Sequence, residues 1–324
     1  VRKTKMIFFC SYFDKNYLAK FLVLLKSIES FNFKYKHFIL ALDKDVEIFF
    51  KKNKYDNIHV ISLENLEEKY KELKMAKKNR SKIEYYFTLS PFLPKYIFEE
   101  FKVYNISYLD SDFYFFKSPQ ETIERNSDTS ITIIKQNSHS KFGLYNVGWI
   151  YFNFNFKETI NTVDEWSAQC IVSCFDIAIN NLYADQKYLD DWPKQMNHIR
   201  ILYPEYTNLS PWDSNKNIEH NLKNVISFHF HALEIKNNLF VSGFHKYNKN
   251  VSKTIIKEIY LPYIKDLLFI ENNFNLKTLS IRTKFSLKNF NLLLLLKTTV
   301  SYVKKKYYKD IHLIENLTQK NFKQ

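Results

Sequence analysis

The sequence predicts an α/β fold in which a mostly parallel, Rossmann-like sheet is flanked by helices. Three apolar segments near the N-terminus are continuous instead of alternating, which is typical of strands buried on both faces of a parallel sheet. They span residues 6–10, 37–42 and 57–62. Helical patterns separate them, and this order of elements favours a doubly wound sheet with right-handed crossovers. The chain has 324 residues, of which 45% are hydrophobic, so it can build a sizeable core.

The segments between these strands carry helical periodicity. The first helix is predicted from apolar residues that recur on one face, namely Leu18, Phe21, Leu22, Leu25 and Ile28. A short helix is expected over residues 46–52. Residues 63–78 form a charged pattern that is typical of a solvent-exposed helix. Residues 84–98 are also helical in pattern, but Pro91 and Pro94 predict a kink.

The later part of the chain continues the alternation of strands and helices. Strands are predicted over residues 106–113, 130–135, 149–154, 199–203 and 225–231, with residues 146–148 in the turn before the third of them. Helices are predicted over residues 157–182 and 254–270, and a shorter helix opens at Asp185 and ends at Pro193. These segments would extend the sheet and cover it.

Two carboxylates one residue apart close the central predicted strand. Side chains alternate faces along a strand, so Asp110 and Asp112 would point the same way. Two like charges held together need a cation between them, or one of them must be protonated. A hard divalent cation such as Mg²⁺ or Mn²⁺ suits this pair when a diphosphate completes its coordination. The alternative is a turn in which the aspartates make only local hydrogen bonds.

Other polar residues are expected near the same edge of the sheet. Tyr12 and Asp14 follow the first strand, where open α/β sheets bind their ligands. Arg80, or Lys77 beside it, would neutralise a bound phosphate, although a charged residue at a helix end is commonly solvated.

Composition excludes several kinds of site. The chain has three glycines, and neither of the glycine-rich phosphate-binding patterns occurs. The formal charge of +14 favours acidic partners such as nucleotide phosphates, anionic lipid or nucleic acid. Nucleic acid is disfavoured among these, because the sequence has no recognisable nucleic-acid-binding signature.

The cysteines point to a reducing compartment. Cys10, Cys170 and Cys174 are too few and too scattered for a disulfide framework. Cys170 and Cys174 lie one helical turn apart, but no further cysteine or histidine stands at ligand spacing, so core packing is favoured over metal binding. The apolar run at residues 6–10 is too short for a signal peptide. We therefore expect a cytoplasmic protein.

Five short segments, in this order, resemble the glycosyltransferases of the A-type fold, and in particular the retaining class (family 8) that includes glycogenin and bacterial lipopolysaccharide galactosyltransferases. The segments are residues 109–112 (Leu-Asp-Ser-Asp), 145–148 (Tyr-Asn-Val-Gly), 185–186 (Asp-Gln), 208–212 (Asn-Leu-Ser-Pro-Trp) and 227–231 (Ser-Phe-His-Phe-His). The resemblance rests on the order and spacing of the segments over about the first 240 residues. It implies the GT-A type of Rossmann-like sheet with a C-terminal helical extension.

The resemblance also implies an activity. Such an enzyme transfers a sugar, with retention, from a nucleoside-diphosphate donor (here expected to be a UDP-sugar) to a glycan or glycolipid acceptor in surface polysaccharide or lipopolysaccharide synthesis. The implied cofactor is Mn²⁺ or Mg²⁺. Its expected ligands are Asp110, Asp112 and His229, with His231 as the alternative to His229, because the two histidines share one face of their strand.

Roles for the remaining site residues follow from the same match. The expected catalytic pair is Asp185, which would orient the acceptor hydroxyl or stabilise positive charge, and Gln186, which would contact the donor sugar. The expected donor-binding residues are Asp110, Ser111, Asn146 and Gly148 from the match, together with Tyr12, Asp14 and Arg80 from their positions in the chain. Asn208 and Trp212 are expected on the acceptor side. For Asp185 a helix cap is the simpler interpretation, and it is compatible with a catalytic role.

The chain departs from the family pattern in one place, and alternatives stay open. Ala232 stands where the family has glycine, and the family's Lys-Pro-Trp continuation is replaced by Glu234, Ile235 and Lys236. This leaves open how the donor diphosphate is held. The alternative functions are an inverting transferase with Asp190 or Asp191 as base, a catalytically inactive nucleotide-sugar or glycan-binding protein, and a basic nucleic-acid-binding protein.

Two domains are predicted, a catalytic domain over residues 1–246 and a basic helical extension over residues 247–324. In the extension, the leucines at residues 292–296 are flanked by lysines and tyrosines. This run is too short to span a bilayer. It is typical either of an interfacial helix on an anionic membrane or of a helix packed on the catalytic domain. Peripheral contact with the inner face of the cell membrane is therefore an open expectation.

Overall fold

The computed structural model describes residues 6–126, 128–137, 140–204, 207–213, 222–236, 239–276, 304–306 and 310–313. The strands are β1 (Ile7–Phe13), β2 (Tyr35–Ala41), β3 (Ile58–Ser62), β4 (Asn105–Leu109), β5 (Phe113–Phe115), β6 (Ile131–Lys135), β7 (Tyr145–Asn153), β8 (Ile199–Leu202), β9 (Asn208–Leu209), β10 (Ser227–His229), β11 (Glu234–Lys236), β12 (Leu239–Val241) and β13 (His312–Leu313).

The α-helices cover the sheet. They are α1 (Leu18–Glu29), α2 (Lys44–Lys52), α3 (Leu63–Lys69), α4 (Glu72–Lys78), α5 (Lys82–Thr88), α6 (Phe92–Phe101), α7 (Gln120–Glu124), α8 (Lys157–Val172), α9 (Trp192–Gln195) and α10 (Leu261–Phe274). A short helix at Lys253–Ile255 and a π-helical turn at Ile256–Tyr260 lead directly into α10.

The central sheet confirms the predicted fold class. Its seven strands have the order β3-β2-β1-β4-β7-β6-β8. All neighbouring pairs are parallel except those of β7 with β4 and with β6. Successive residues of β1 point to opposite faces, so Phe9 packs in a core with α1 and α10, while Cys10 packs in a second core with α6 and α8.

Several element boundaries differ from the prediction for physical reasons. Residues 63–78 form two helices, because Tyr70 leaves helical geometry and packs its ring 5.0 Å from Phe92. The predicted kink is a break between α5 and α6. Pro91 precedes α6 and Pro94 lies in its first turn, where proline's missing N–H removes no helical hydrogen bond.

Several predictions for the later elements are also wrong. Residues 146–148 are not a turn but part of β7, which is buried along its whole length and pairs with strands on both sides. The predicted helix over residues 157–182 ends at Val172. Pro193 does not end a helix but stands in the first turn of α9. The helix predicted over residues 254–270 is confirmed, with the π-helical turn as the added detail.

The residues after 246 do not form a separate core in the described part of the chain. Phe230 stacks on Tyr263 with ring centroids 3.8 Å apart, and Lys26 of α1 pairs with Asp266 of α10 at 2.6 Å. The C-terminal strand β13 pairs with β12 in a three-stranded sheet. The predicted boundary between residues 246 and 247 is therefore not a break in packing. The leucine run at residues 292–296 lies outside the described residues.

Two further expectations concern cysteines and membrane spans. Cys10, Cys170 and Cys174 are free and buried, as core packing predicts. Within the described residues, none of the helices combines the length and the apolar character that a bilayer crossing requires.

Candidate functional site

A cluster of two carboxylates and one imidazole lies just beyond the end of β4. Asp110, Asp112 and His229 each offer a ligand atom, and these atoms lie within 4.8 Å of one another. His229 Nε2 is 3.0 Å from Asp112 Oδ1 and 3.6 Å from Asp110 Oδ2. The predicted central strand ends at Leu109, so the aspartates share a site through the turn that follows β4 instead of through strand alternation.

The backbone around this turn is well held. The N–H of Asp110 donates to the carbonyl of Gly148 at 2.9 Å, which continues the pairing of β4 with β7. The N–H of Phe230 donates to the carbonyl of Asp112 at 2.8 Å, and His229 on β10 pairs with Phe113 on β5. Both sides of the cluster are therefore fixed by strand pairing.

The cluster holds groups of opposite charge in a largely buried position. Burial alone would raise the pKa of Asp112, but attraction and a hydrogen bond from His229, helped by Lys20, hold it well below its usual range. Burial raises the pKa of Asp110. Burial lowers the pKa of His229, but attraction and a hydrogen bond from Asp112, together with attraction by Asp110, outweigh burial and raise it. His229 and Lys20 therefore balance the charge of Asp112, whereas burial outweighs the attraction of His229 for Asp110.

The residues fit a divalent cation. Two carboxylates and one imidazole are a donor set that suits Mn²⁺ or Mg²⁺. Nε2 of His229 faces the carboxylates, while its Nδ1 is buried without a hydrogen-bond partner in the described structure. Lys20 Nζ lies 3.7 Å from Asp112 Oδ2, so Oδ1 is the oxygen that faces the cluster.

A cavity of about 250 Å³ opens beside the cluster. It is lined by Tyr12, Phe87, Asp110, Gln136, Phe142, Asn146, Val147, Gly148, Tyr183, Ala184, Asp185, Gln186, Trp212, His229, His231 and Tyr247. Aromatic rings form one wall, where Trp212 lies 5.3 Å from Tyr247 and 5.6 Å from His231 between ring centroids. A pocket of this kind, mostly apolar with a few convergent polar groups, is typical of small-molecule binding.

Gly148 is needed at the point where the pocket meets the cluster. A Cβ on this residue would lie 2.6 Å from Asn146 Oδ1, 2.8 Å from Phe113 and 3.0 Å from Asp110 Oδ2. The side chain of Asn146 also accepts from the N–H of Gly148 at 2.7 Å. The segment predicted to contact the donor therefore lets the Asp110 carboxylate approach the strand closely.

The Asp185–Gln186 pair lies in the pocket wall. Asp185 is buried, and burial raises the pKa of its carboxyl to about 7, with a smaller contribution from Asp110 that is opposed by a hydrogen bond from Ser90. Gln186 donates to the carbonyl of Phe142 at 2.7 Å and accepts from the N–H of Val147 at 3.4 Å. It therefore ties two parts of the wall together.

Four of the residues predicted to contact the donor or the acceptor do not line the pocket. Asp14 accepts from Lys82 Nζ at 2.7 Å, and Ser111 is buried and donates to the carbonyl of Tyr12 at 3.3 Å. Arg80 donates to Thr88 and, at 2.6 Å, to the carbonyl of Ile171, so it joins α5 to α8. Asn208 is buried in β9 and accepts from Ser227 at 3.2 Å. This placement does not support direct ligand contacts by these four residues.

The bases considered for an inverting reaction are also engaged elsewhere. Asp190 accepts from the N–H of Leu144 at 2.6 Å and from Lys187 at 2.7 Å. Asp191 pairs with Lys194 at 2.8 Å. Neither aspartate lines the pocket.

Some residues of the site were missed from the sequence. Lys20, which lies beside Asp112, could have been noticed, because it interrupts the apolar stretch of α1. Phe142, Tyr183 and Tyr247 line the pocket but could not be identified, since each comes from a loop or a short 3₁₀ turn that reaches the pocket only through folding.

Comparisons with known proteins support the fold. The chain matches no known family model. It is 22% identical over 281 residues to the protein YfnD of Bacillus subtilis (strain 168), described only as uncharacterized, and the match covers 80% of this chain and 88% of YfnD.

Two solved structures are similar in fold. The apo form of the glycosyltransferase GlyE from Streptococcus pneumoniae TIGR4 has a TM-score of 0.50 at 15% identity, covering 84% of this chain and 63% of GlyE. A structure of the galactosyltransferase LgtC in complex with donor and acceptor sugar analogs has a TM-score of 0.47 at 15% identity, covering 70% of this chain and 87% of LgtC. The similarity to GlyE, together with the topology of the sheet, shows that this chain has the A-type glycosyltransferase fold.

Proposed function

We propose that the protein is a metal-dependent glycosyltransferase. It would transfer a sugar, with retention, from a nucleoside-diphosphate donor (a UDP-sugar) to a glycan or glycolipid. The observation that carries the proposal is the Asp110–Asp112–His229 cluster, which opens onto a pocket in a glycosyltransferase fold. The setting in surface polysaccharide or lipopolysaccharide synthesis belongs to the proposal as well and rests on the sequence resemblance. The cytoplasmic location is also proposed, and it rests on the few, scattered cysteines.

The leaving group is the first requirement of such a reaction. Asp110, Asp112 and His229 would hold Mn²⁺ or Mg²⁺, which when bound neutralises charge that develops on a departing diphosphate. Two ammonium groups face the same region. Burial lowers the pKa of Lys20 and repulsion by Lys246 lowers it further, whereas attraction by Asp112 raises it. Lys246 is exposed and would take the place of the family's missing lysine at the diphosphate.

The nucleobase and the sugar of the donor would contact different surfaces of the pocket. Tyr12 lies at the carboxyl end of β1 with its hydroxyl 3.0 Å from Ser90 Oγ, so its ring is held in place for stacking on a nucleobase. Trp212 and Tyr247 would form the aromatic wall for a sugar of the donor or acceptor.

Asp185 is the carboxyl that we place nearest the reacting sugar. Burial raises the pKa of its carboxyl despite hydrogen bonds from Ser90 and the backbone, so an adjacent positive charge would favour the ionised carboxylate. An oxocarbenium-like sugar develops such a charge during transfer. Gln186 would hold the wall through its bonds to Phe142 and Val147 while presenting its amide to the donor sugar.

The experiment that tests the proposal is a thermal-shift screen of UDP-, GDP- and CMP-sugars with and without Mn²⁺. We expect a UDP-sugar to raise the melting temperature only when Mn²⁺ is present, and excess EDTA to reverse the effect. NMR of the product should show a retained anomeric configuration. No shift with any donor, or a shift that persists in EDTA, would contradict the proposal. An inverted product would point to the inverting alternative, for which Asp185 is the pocket-lining carboxyl outside the Asp110–Asp112–His229 cluster.

A further inference from the structure

A surface beside the pocket mouth combines exposed apolar side chains with basic ones. It consists of α4, the start of α5 and the loop at residues 172–179, and we call it the basic–apolar face. Its exposed apolar residues are Met75, Ile83, Val172, Phe175, Ile177 and Ile179. Val172 is 80% exposed, Met75 67% and Ile177 62%. Isolated exposed apolar residues need no explanation, but this many in neighbouring segments indicate an interaction surface.

The parts of this face contact one another. Arg80, between α4 and α5, donates to the carbonyl of Ile171 at 2.6 Å, and its guanidinium lies 5.7 Å from the ring of Phe175. The N–H of Asp176 donates to Glu84 of α5 at 3.2 Å. The helices and the loop therefore form one continuous surface.

The loop presents its apolar side chains from an ordered turn. Ile179 and Leu182 exchange two backbone hydrogen bonds of 3.0 and 2.8 Å. Asn180 and Asn181 between them have φ values of 51° and 59°, as a two-residue hairpin turn requires. The N–H of Ala184 donates to the carbonyl of Phe175 at 3.0 Å. The exposure of Ile177 and Ile179 is thus set by backbone hydrogen bonds.

The charge of the face is positive. Residues 71–84 contain six basic residues, Lys71, Lys74, Lys77, Lys78, Arg80 and Lys82, against Glu72 and Glu84. Lys77 pairs with Glu67 and Lys82 with Asp14, so the positive charge of the face rests on the other four. Lys74 and Lys78 are exposed and lie one helical turn apart on α4, on either side of Met75. The exposed carboxylates on the face are those of Glu72 and Asp176. Apolar side chains flanked by lysines complement a surface that is anionic outside and apolar beneath, which is the character of an anionic bilayer.

The face adjoins the pocket. Phe87 of α5 and Tyr183 at the base of the loop both line the cavity. We propose that the basic–apolar face docks the protein on an anionic lipid bilayer, which places the pocket mouth at the membrane surface. The nature of the acceptor, a sugar presented by a lipid, rests on the proposed function, whereas the docking itself does not.

The test is flotation of the full chain with vesicles. Vesicles of phosphatidylglycerol and phosphatidylethanolamine should carry the protein, and vesicles of phosphatidylcholine alone should not. The variant Val172→Ser/Ile177→Ser/Ile179→Ser should lower the partition coefficient roughly tenfold or more. The matched control is Ile48→Ser on α2, which removes another apolar residue that is 62% exposed and should leave flotation unchanged.

A second pair of variants tests the charge. Lys74→Glu/Lys78→Glu should lower binding roughly tenfold. Lys51→Glu/Lys52→Glu, at the end of α2, makes the same change in net charge and should have a much smaller effect. All these residues are exposed, so melting temperatures should stay close to that of the wild type.

Several outcomes would overturn the inference. If the face variants float like the wild type, or if the wild type does not float, the face is not a bilayer-docking site. A concentration-dependent dimer that the serine variants abolish would identify a contact between two copies instead. The result of the nucleotide-sugar screen is independent of the flotation result, because vesicle binding needs no nucleotide. A failed screen with normal flotation would remove the proposed function and leave the docking intact.

Discussion

Two clusters combine aspartate with histidine, but their carboxylates accept hydrogen bonds from different kinds of donor. In the cluster near the C-terminus, Asp310 is fully buried and accepts hydrogen bonds from the N–H groups of Ser242 and His245, both at 3.0 Å, from His245 Nδ1 at 2.6 Å, and from the Ser242 hydroxyl. His312 Nε2 lies 3.5 Å from the same carboxylate.

The cluster at the end of β4 lacks such bonds. Asp110 accepts from the hydroxyl of Tyr108 at 2.8 Å, and Asp112 faces His229 and Lys20. Among the described residues, no backbone N–H donates to either carboxylate. A carboxylate whose oxygens accept hydrogen bonds from backbone N–H groups stabilises the fold, and we call the Asp310 cluster the clamp. Two carboxylates beside a pocket that lack such donors can bind a cation, and we call theirs the unsaturated cluster. The same residue types therefore have different functions, and the hydrogen-bond donors around them decide which.

The largest expected effect is that of removing a ligand from the unsaturated cluster. Asp112→Asn should weaken Mn²⁺ binding and lower sugar transfer, each by more than about 100-fold, because the ionised oxygen that faces the cluster is lost. Calorimetric titration with Mn²⁺ and a transfer assay with the donor identified by the screen would measure both. Asp310→Asn is the matched control and should bind Mn²⁺ like the wild type. Equal losses in the two variants would erase the distinction between the clusters.

The next effect is on stability. Asp310→Asn should lower the free energy of unfolding by about 3 kcal/mol, because it leaves buried donors of Ser242 and His245 without their ionised acceptor. Urea denaturation would measure the change. Asp266→Asn also weakens a contact between the C-terminal residues and the sheet domain, but its partner Lys26 is partly exposed, so the loss should be smaller.

The difference in stability between the wild type and Asp310→Asn should depend on pH. Burial opposes ionisation of Asp310, but hydrogen bonds from His245, His312 and Ser242 outweigh it and hold its pKa well below the usual range. The stabilisation is therefore complete above the unfolded-state pKa of about 3.9 and is lost as pH falls through the lower folded-state value. The gap between wild type and Asp310→Asn should be large at about pH 5 and should shrink below about pH 4. A gap that does not depend on pH would show that the carboxylate charge is not what stabilises this cluster.

Gly148 tests how closely the unsaturated cluster is packed. Gly148→Ala should cost about 1–3 kcal/mol of stability and weaken Mn²⁺ binding, because its Cβ would crowd Asn146, Phe113 and Asp110. Thermal denaturation and Mn²⁺ titration would measure the two losses. Adding Asn146→Ala removes the nearest of these atoms and should restore part of the stability. If the double variant is no better than Gly148→Ala, crowding by Asn146 is not the cause.

The sequence predicts the fold and the ligand cluster because both depend on local patterns. Continuous apolar runs identified β1 to β3. The spacing of Asp110 and Asp112, with the family resemblance that added His229, indicated the three residues that the fold brings together. The clamp could not be predicted, since Asp310 lies 65 and 68 positions after His245 and Ser242 in the sequence, and no local pattern joins them. The predicted contact of Arg80 with phosphate is not supported, for the same reason. Its charge suggested a phosphate site, but a distant carbonyl, that of Ile171, takes its hydrogen bond.

A third buried carboxyl, that of Asp185, distinguishes the effect of burial on a carboxyl from the effect of hydrogen-bond partners. Burial raises its pKa to about 7, so its contribution to stability is fully present below the unfolded-state pKa of about 3.9 and is lost as pH rises through about 7. Asp185→Asn mimics the protonated form. In EDTA, its stability relative to the wild type should therefore grow with pH, to a gain of about 4 kcal/mol at about pH 8, because the two pKa values differ by about three units. Thermal denaturation across this range would show it. Asp310→Asn is predicted to change with pH in the opposite direction, because the clamp favours the ionised carboxylate that the pocket disfavours at Asp185. A loss of stability in Asp185→Asn at high pH would place this residue with the clamp instead of with the pocket.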